Sequence, residues 1–184
     1  MDMRDLINLN EAPLRREDMG WGMEVMYADE AGIALSGGWR SGNSSAGFTR
    51  CAYEVIDLAL FNETGDQKAS SLGLVELFIG KGGQIDGLVN MKLNPKNRKA
   101  GTGSKIIAAL LETCPHDLVI CDIQTPAIGF WKKVGAEFLN RNGIPVDVRD
   151  KTKLKSTTLM GVIRKPGSAT TGVAGLPFFT ANKG

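Results

Sequence analysis

From Tyr53 onward the apolar positions fall into short runs whose period can be read. "YEVIDLALF" (53–61) and "LGLVELFIG" (72–80) are rich in β-formers and flank the polar "NETGDQKAS", which predicts two strands joined in antiparallel fashion. The turn "GKGGQ" leads into a third strand, "IDGLVNMKL" (85–93). The period then changes. In "GSKIIAALLETC" the residues Ile106, Ile107, Leu110 and Leu111 recur at helical spacing and Pro115 marks the end, so a helix is expected over about 103–113. "DLVICDIQ" (117–124) is short, mostly apolar and bounded by polar residues, the pattern of a central strand covered on both faces. "TPAIGFWKKVGAEF" begins with a threonine and a proline suited to a first helical turn, places Ala127, Phe130, Trp131 and Val134 on one face, and ends at Gly135. "KLKSTTLMGVIRK" (153–165) reads as a last strand. This order of elements predicts an α/β (α+β) fold, a mixed sheet with helices packed on it.

The flanks are less regular. "DEAGIALSGGWRSGNSSAGFTR" shows no sustained period, so loops and short elements are expected there, with Trp21, Trp39 and Phe48 scattered through the region. Three parts follow: an irregular segment 1–50 packed on the core, a core 51–165, and a glycine-rich tail 166–184.

Composition changes the picture mainly by exclusion. With 184 residues, 42% hydrophobic and 23% charged, the chain has the size of one globular domain. Its net charge of +2, from 22 basic and 20 acidic residues, sets up no strong field for nucleic acid or an anionic membrane. "RDKTKLK" (149–155) is a basic run that a solvated turn explains. Cys51, Cys114 and Cys121 form no CxxC pair and leave an odd thiol, which points to neither a disulfide framework nor a zinc site, and no metal is expected. The first twenty residues lack the apolar core of a signal peptide, and no window approaches the roughly 18 apolar residues of a span. A soluble, intracellular, cytoplasmic protein is expected.

Candidate chemistry concentrates in "LNPKNRKAGTGSK" (93–105), between the third strand and the first helix. With 23 glycines in the chain, about three GxG triplets arise by composition alone, so the triplet itself proves little. Its place counts for more. Gly101 and Gly103 sit where a helix must begin, and a helix N-terminus presents unpaired N–H groups to an anion. Arg98 would add a charge-assisted contact. Lys96, Lys99 and Lys105 are compatible with an anionic ligand, but a solvated loop is the plainer reading. On the residues alone, a phosphate cradle and a structural turn both stay open. The spacing excludes a Walker loop and lacks the three glycines of a dinucleotide fold.

The run "MKLNPKNRKAGTGSKIIAALLE" resembles the acyl-coenzyme A binding motif of the GNAT superfamily of N-acetyltransferases: a strand, a proline, then R-x-x-G-x-G opening a helix. "QTPAIGFWKKVGAEF" resembles that family's second signature, with Gln124, Ala127, Phe130, Trp131 and Gly135 in its places. The resemblance covers about 74–140. It implies a mixed, mostly antiparallel sheet flanked by helices, with a V-shaped splay between two central strands. It implies acetyl-CoA as co-substrate: backbone amides from Ala100 through Gly101, Thr102 and Gly103 to Ser104 on the pyrophosphate, Arg98 and Lys99 beside them, the pantetheine arm along Met91 and Leu93, and Gln124 and Phe130 from the second signature. The implied reaction is transfer of acetyl to a primary amine, of a small molecule or a protein, by direct attack in a ternary complex.

Such a transfer needs a base for the amine proton and often an acid for the leaving thiolate. Glu76 alternates with Leu74 and Phe78 on one strand face, so its carboxylate is either partly buried or set at the wedge; it is the first candidate base. Asp86 and Asp122 are alternatives, and for all three a capped or solvated carboxylate is the plainer reading. Trp131 stands where many family members carry a tyrosine acid; its indole N–H is no practical proton source, and it reads as packing. His116, beside Pro115 in a turn, reads as a surface residue and Cys121 as buried packing. The tryptophan, the unusual first third and the tail also motivate a second reading, a non-catalytic protein of this fold in a larger assembly such as a virus particle, with partner contacts through the N-terminal segment and the tail.

Overall fold

The computed structural model describes residues 24–28, 32–40, 48–98, 100–155 and 158–168. Among these residues eight strands, Glu24–Ala28 (β1), Ile33–Arg40 (β2), Thr49–Asp57 (β3), Ser71–Ile79 (β4), Ile85–Leu93 (β5), Leu118–Ile120 (β6), Glu137–Leu139 (β7) and Met160–Ile163 (β8), form one sheet in the order β1-β2-β3-β4-β5-β6-β8-β7. Only β5 and β6 run parallel; every other pair is antiparallel. The helices are Leu58–Thr64 (α1), Gln67–Ser70 (α2), Thr102–Thr113 (α3), Ile128–Lys133 (α4) and Lys151–Leu154 (α5). None of them is long and apolar enough to cross a membrane, among the described residues.

Alternation in the central strands sorts the residues into two faces. Cys51, Tyr53 and Val55 of β3, Val75, Leu77 and Ile79 of β4, and Ile85 and Leu88 of β5 are buried against Ile106, Ile107 and Leu110 of α3. Because α3 lies against β5, β2 and β1, this half of the sheet wraps the helix. Each aliphatic side chain so buried contributes about 2 kcal/mol of transfer free energy. The other face is mixed. Arg50, Glu76 and Leu74 remain part-exposed on it, while Ala34, Ile56 and Leu58 form a small cluster and Val119, Cys121, Leu139, Met160 and Val162 another.

The third strand and the first long helix stand where the periodicity places them, at 85–93 and 102–113. Elsewhere the structure differs for identifiable reasons. The second half of "YEVIDLALF" is helix α1, because the Asp57 carboxylate accepts the Leu60 N–H at 3.1 Å and so caps a helix start. The polar linker holds α2, capped in the same way by Asp66. Residues 33–40, expected as loops, are an eight-residue strand paired with β1 and β3. Ile33 and Leu35 face the core, but the small Ala34 and Ser36 that alternate with them, and a bulge between Gly37 and Trp39, hide the alternation. β6 is shorter than "DLVICDIQ", since the chain turns off at Asp122. β7, three residues long, is too short to show a period. α5 takes Lys153 and Leu154 from the segment expected as the last strand, because the Asp150 carboxylate accepts the Thr152 and Lys153 N–H groups and caps a helix start. The strand observed there is Met160–Ile163. Trp21 and most of the tail lie outside the described residues.

Candidate functional site

β5 and β6 meet at one registered pair, Leu88 and Ile120, closed by the Cys121 N–H donating to the Leu88 carbonyl at 2.8 Å. Beyond this point they part. β5 continues to Leu93, still paired with β4 but unpaired on its β6 side, while Asp122 takes φ +52° and the Ile123 N–H bonds the Leu159 carbonyl at 2.7 Å. Asp122 is the sole non-glycine with positive φ among the described residues. A bulge in β5 sits at the parting: Glu76 faces Asn90 and Leu77 faces Leu88, which leaves Val89 as the extra residue. The result is a V-shaped slot between Val89–Leu93 and Asp122–Gln124, at the switch point between two parallel strands, where α/β sheets characteristically open.

The N-terminus of α3 follows from the strand that lines this slot. The loop between them is fastened to β4. The Asn94 N–H donates to the Leu72 carbonyl at 3.0 Å, the Asn94 side chain to the Ser71 carbonyl at 3.0 Å, and the Asn97 side chain to the Leu72 carbonyl at 3.3 Å. Pro95 opens a single 3-10 turn, and Arg98 Nε donates back to the Leu93 carbonyl at 3.3 Å. Gly101 is the N-cap residue with φ +77°, a conformation that favours glycine, and no side chain caps the helix. Its carbonyl accepts the Lys105 N–H at 3.1 Å, so the N–H groups of Thr102, Gly103 and Ser104 are left for a ligand or water. Gly103 is buried because α4 closes over it. A Cβ at that position would lie 2.9 Å from the Phe130 ring and 3.6 Å from Met91 Cε, so Met91, Gly103 and Phe130 come together on the α3 side of the slot. Trp131 is buried in the main core with its ring edge-on to Phe130, centroids 4.9 Å apart. Gln124 and Ser104 are exposed, Leu93 is half-buried, and Lys99 lies outside the described residues.

The carboxylates separate. On the face opposite α3, Arg50 of β3 donates to Oε2 of Glu76 from Nε at 2.7 Å and also from Nη2. Asp122 and Arg50 are close enough to Cys121 to act on its thiol, which burial pushes up to about 12, Asp122 raising it further and Arg50 opposing. Cys121 is therefore a neutral thiol. Glu76, Asp122 and Arg50 thus gather round the parting of β5 and β6. Asp86 does not join them. It is buried at the other end of β5, where Oδ1 meets His116 Nε2 at 3.0 Å and Oδ2 accepts from Gln84 at 3.2 Å. His116, expected at the surface, is half-buried in this pair, with Nδ1 2.7 Å from the Asp117 carbonyl and 3.6 Å from Cys114 Sγ. Both ring nitrogens face acceptors, which suits the doubly protonated ring, and the bond to Asp86 leads the causes that raise its pKa to about 10.

No protein-family model matches the chain, and no curated protein does. Several solved structures are similar at a distance, among them two acetyltransferases. An acetyltransferase from Thermus thermophilus has 14% identity and a TM-score of 0.39, over 62% of this chain and 64% of that one. Nourseothricin acetyltransferase has the same identity and TM-score, over 64% of this chain and 66% of its own. The chain thus spans a little less than two thirds of either neighbour, and a likeness of this size assigns no role to any residue here.

Arg50 was missed in the sequence because its importance depends on register. Alternation puts it on the opposite face from Cys51 and Tyr53, but only the β3–β4 pairing sets it diagonal to Glu76. No group of three or more His, Cys, Asp or Glu among the described residues could hold a metal ion.

Proposed function

We propose that this chain is an acyl-CoA-dependent N-acyltransferase of the GNAT type, transferring acetyl from acetyl-CoA to a primary amine in a ternary complex. One observation carries the reading: an uncapped helix N-terminus, opened by R-x-x-G-x-G, follows directly from the strand that lines a slot between the two parallel strands. In this reading the N–H groups of Thr102, Gly103 and Ser104, with Ala100 and Gly101 in the same loop, hold the pyrophosphate. There the helix dipole and the lack of a Cβ both favour an anion. Arg98 braces the loop through the Leu93 carbonyl, and Lys99 extends the same basic stretch. The pantetheine arm lies along Met91 and Leu93, with Gln124 opposite and Phe130 over its α3 side.

The thioester then lies near the parting of β5 and β6, where a backbone N–H of Val89–Leu93 takes up the charge on the carbonyl oxygen. The acceptor nitrogen bonds to the carbonyl carbon as its proton passes to Glu76, and the C–S bond breaks to release the thiolate. Asp122 is the alternative base, whereas Asp86 is occupied by His116. Among the described residues no side chain at the slot is an evident acid for the thiolate, which takes its proton from water. The test is amine-dependent thiol release from acetyl-CoA. E76Q should slow it by about 10²–10⁴-fold with acetyl-CoA affinity kept, and an unchanged rate would remove Glu76 from the mechanism.

A second reading, a non-catalytic protein of this fold in a larger assembly such as a virus particle, is favoured by one observation: Trp131, in the place of the family's acid, is buried in the core. Absence of acetyl-CoA binding together with concentration-dependent self-assembly would support it.

A further inference from the structure

Arg50 takes no step in the proposed transfer, yet it is paired with the candidate base on the face of the slot opposite α3. Both of its donors to Glu76, Nε and Nη2, converge on the same oxygen, Oε2. Oε1 takes no hydrogen bond among the described residues. The pair is part-exposed, the side chains retaining 35% and 24% of their surface, so neither charge is sealed in a core. Its position also matters. Glu76 faces Asn90, the residue after the Val89 bulge, so the carboxylate sits beside the point where β5 leaves β6. The Arg50 charge reaches Cys121, on the other side of the parting. The N-terminus of α3 and the ring of Phe130 stand on the α3 side, and on the opposite face Arg50 and Glu76 form a part-exposed polar pair.

We propose that Arg50 is a positioning residue. It clamps Oε2 of Glu76 and leaves Oε1 as the one oxygen offered to an acceptor amine arriving from the face opposite α3. The inference rests on the acetyltransferase reading for the identity of the acceptor, but the clamp itself does not. A guanidinium fixes a carboxylate through two donors set in one plane, whereas an ammonium is a single point of charge. Misplacing a reacting group by about 1 Å can cost about 100-fold in rate.

The experiment compares the full-length protein with R50K and R50A by three measurements: calorimetric binding of acetyl-CoA, side-chain carbon relaxation of Glu76 by NMR, and thiol release with spermidine, lysine and ethylenediamine as probe amines. The clamp predicts that both variants bind acetyl-CoA within about threefold of the parent, because Arg50 is on the opposite face from the cradle. It predicts that Glu76 gains mobility in both, and that kcat falls by about 10- to 100-fold while KM for acetyl-CoA holds. Added guanidinium should restore part of the rate to R50A. A Glu76 side chain as ordered in R50A as in the parent, or a parent-like kcat in R50A, overturns the proposal. If the parent fails to bind acetyl-CoA, the acetyltransferase reading falls by itself, and the Glu76 relaxation still decides whether Arg50 is a clamp. Should R50A unfold, R50K, which keeps the charge and loses the two-donor fork, gives the same discrimination.

Discussion

Among individual side chains, the pair of half-buried His116 and buried Asp86 gives the clearest pH signature. Its imidazolium is stabilised in the fold, first by Asp86, so the folded pKa, about 10, lies above the ordinary 6.5. The stabilisation is therefore complete below about pH 6.5 and is lost as pH rises toward 10. Denaturation between pH 6 and 10.5 should show stability falling by on the order of 2 kcal/mol, and H116Q should flatten that part of the curve. A parallel curve for H116Q would rule out the pair as its source. Asp117 acts on the acid side. Burial pushes its carboxyl up, but the Lys165 N–H, Arg164 and Ser168 together outweigh burial and hold it below the ordinary 3.8. Its contribution is present above about pH 4 and is lost as pH falls through the lowered value. Neither network was legible in the sequence. "CPHD" reads as a turn, and only the fold brings Asp86 thirty residues back to His116.

The elements that build the slot make their own predictions. Asp122 opens the wedge by its backbone, at φ +52°, where glycine is unstrained and alanine costs about 1 kcal/mol. D122G should therefore fold at least as well as D122A and keep acetyl-CoA binding, so any loss of amine-dependent rate in D122G reports the carboxylate alone. A D122G variant less stable than D122A would argue against the backbone role. Gly103 makes the complementary case, since any side chain there meets the Phe130 ring. G103V should displace that ring and weaken acetyl-CoA binding at least tenfold by calorimetry, and parent-like affinity would show that the ring and the cradle are independent. The sequence showed α3 and β5 well, because each has a period and a bounded end. It concealed the splay, because that depends on a one-residue bulge at Val89 and one left-handed aspartate, neither of which alters the apolar pattern.

For the molecule as a whole, the sheet wraps α3, so the helix whose N-terminus is the proposed cradle is also packed in the main core. L110A, deep in that contact, should destabilise by about 2–5 kcal/mol in denaturant unfolding. A loss under 1 kcal/mol would mean that this face of the helix is loosely packed. The layered α/β architecture was readable from the order of periodic segments. The two strands β1 and β2 were not, because glycine, serine and alanine on one side of β2 mask its buried isoleucine and leucine. The proposed acceptor side is the least legible part. It is assembled from Arg50, Glu76 and Asn90 on three different strands, and no local pattern announces such a surface.

Everything proposed for the slot depends on the open N-terminus of α3 holding the pyrophosphate of acetyl-CoA. The decisive experiment is a calorimetric titration of acetyl-CoA into the parent and into G101D. Aspartate is among the residues that tolerate the left-handed backbone at this position, and nothing lies within 4 Å of a Cβ there, so the variant should keep its fold while placing a negative charge at the anion site. The parent should bind, with about 2.7 kcal/mol of thermal stabilisation at 100 times the dissociation constant, and G101D should lose both binding and stabilisation. Equal binding by the two proteins, or none by the parent, would refute the cradle.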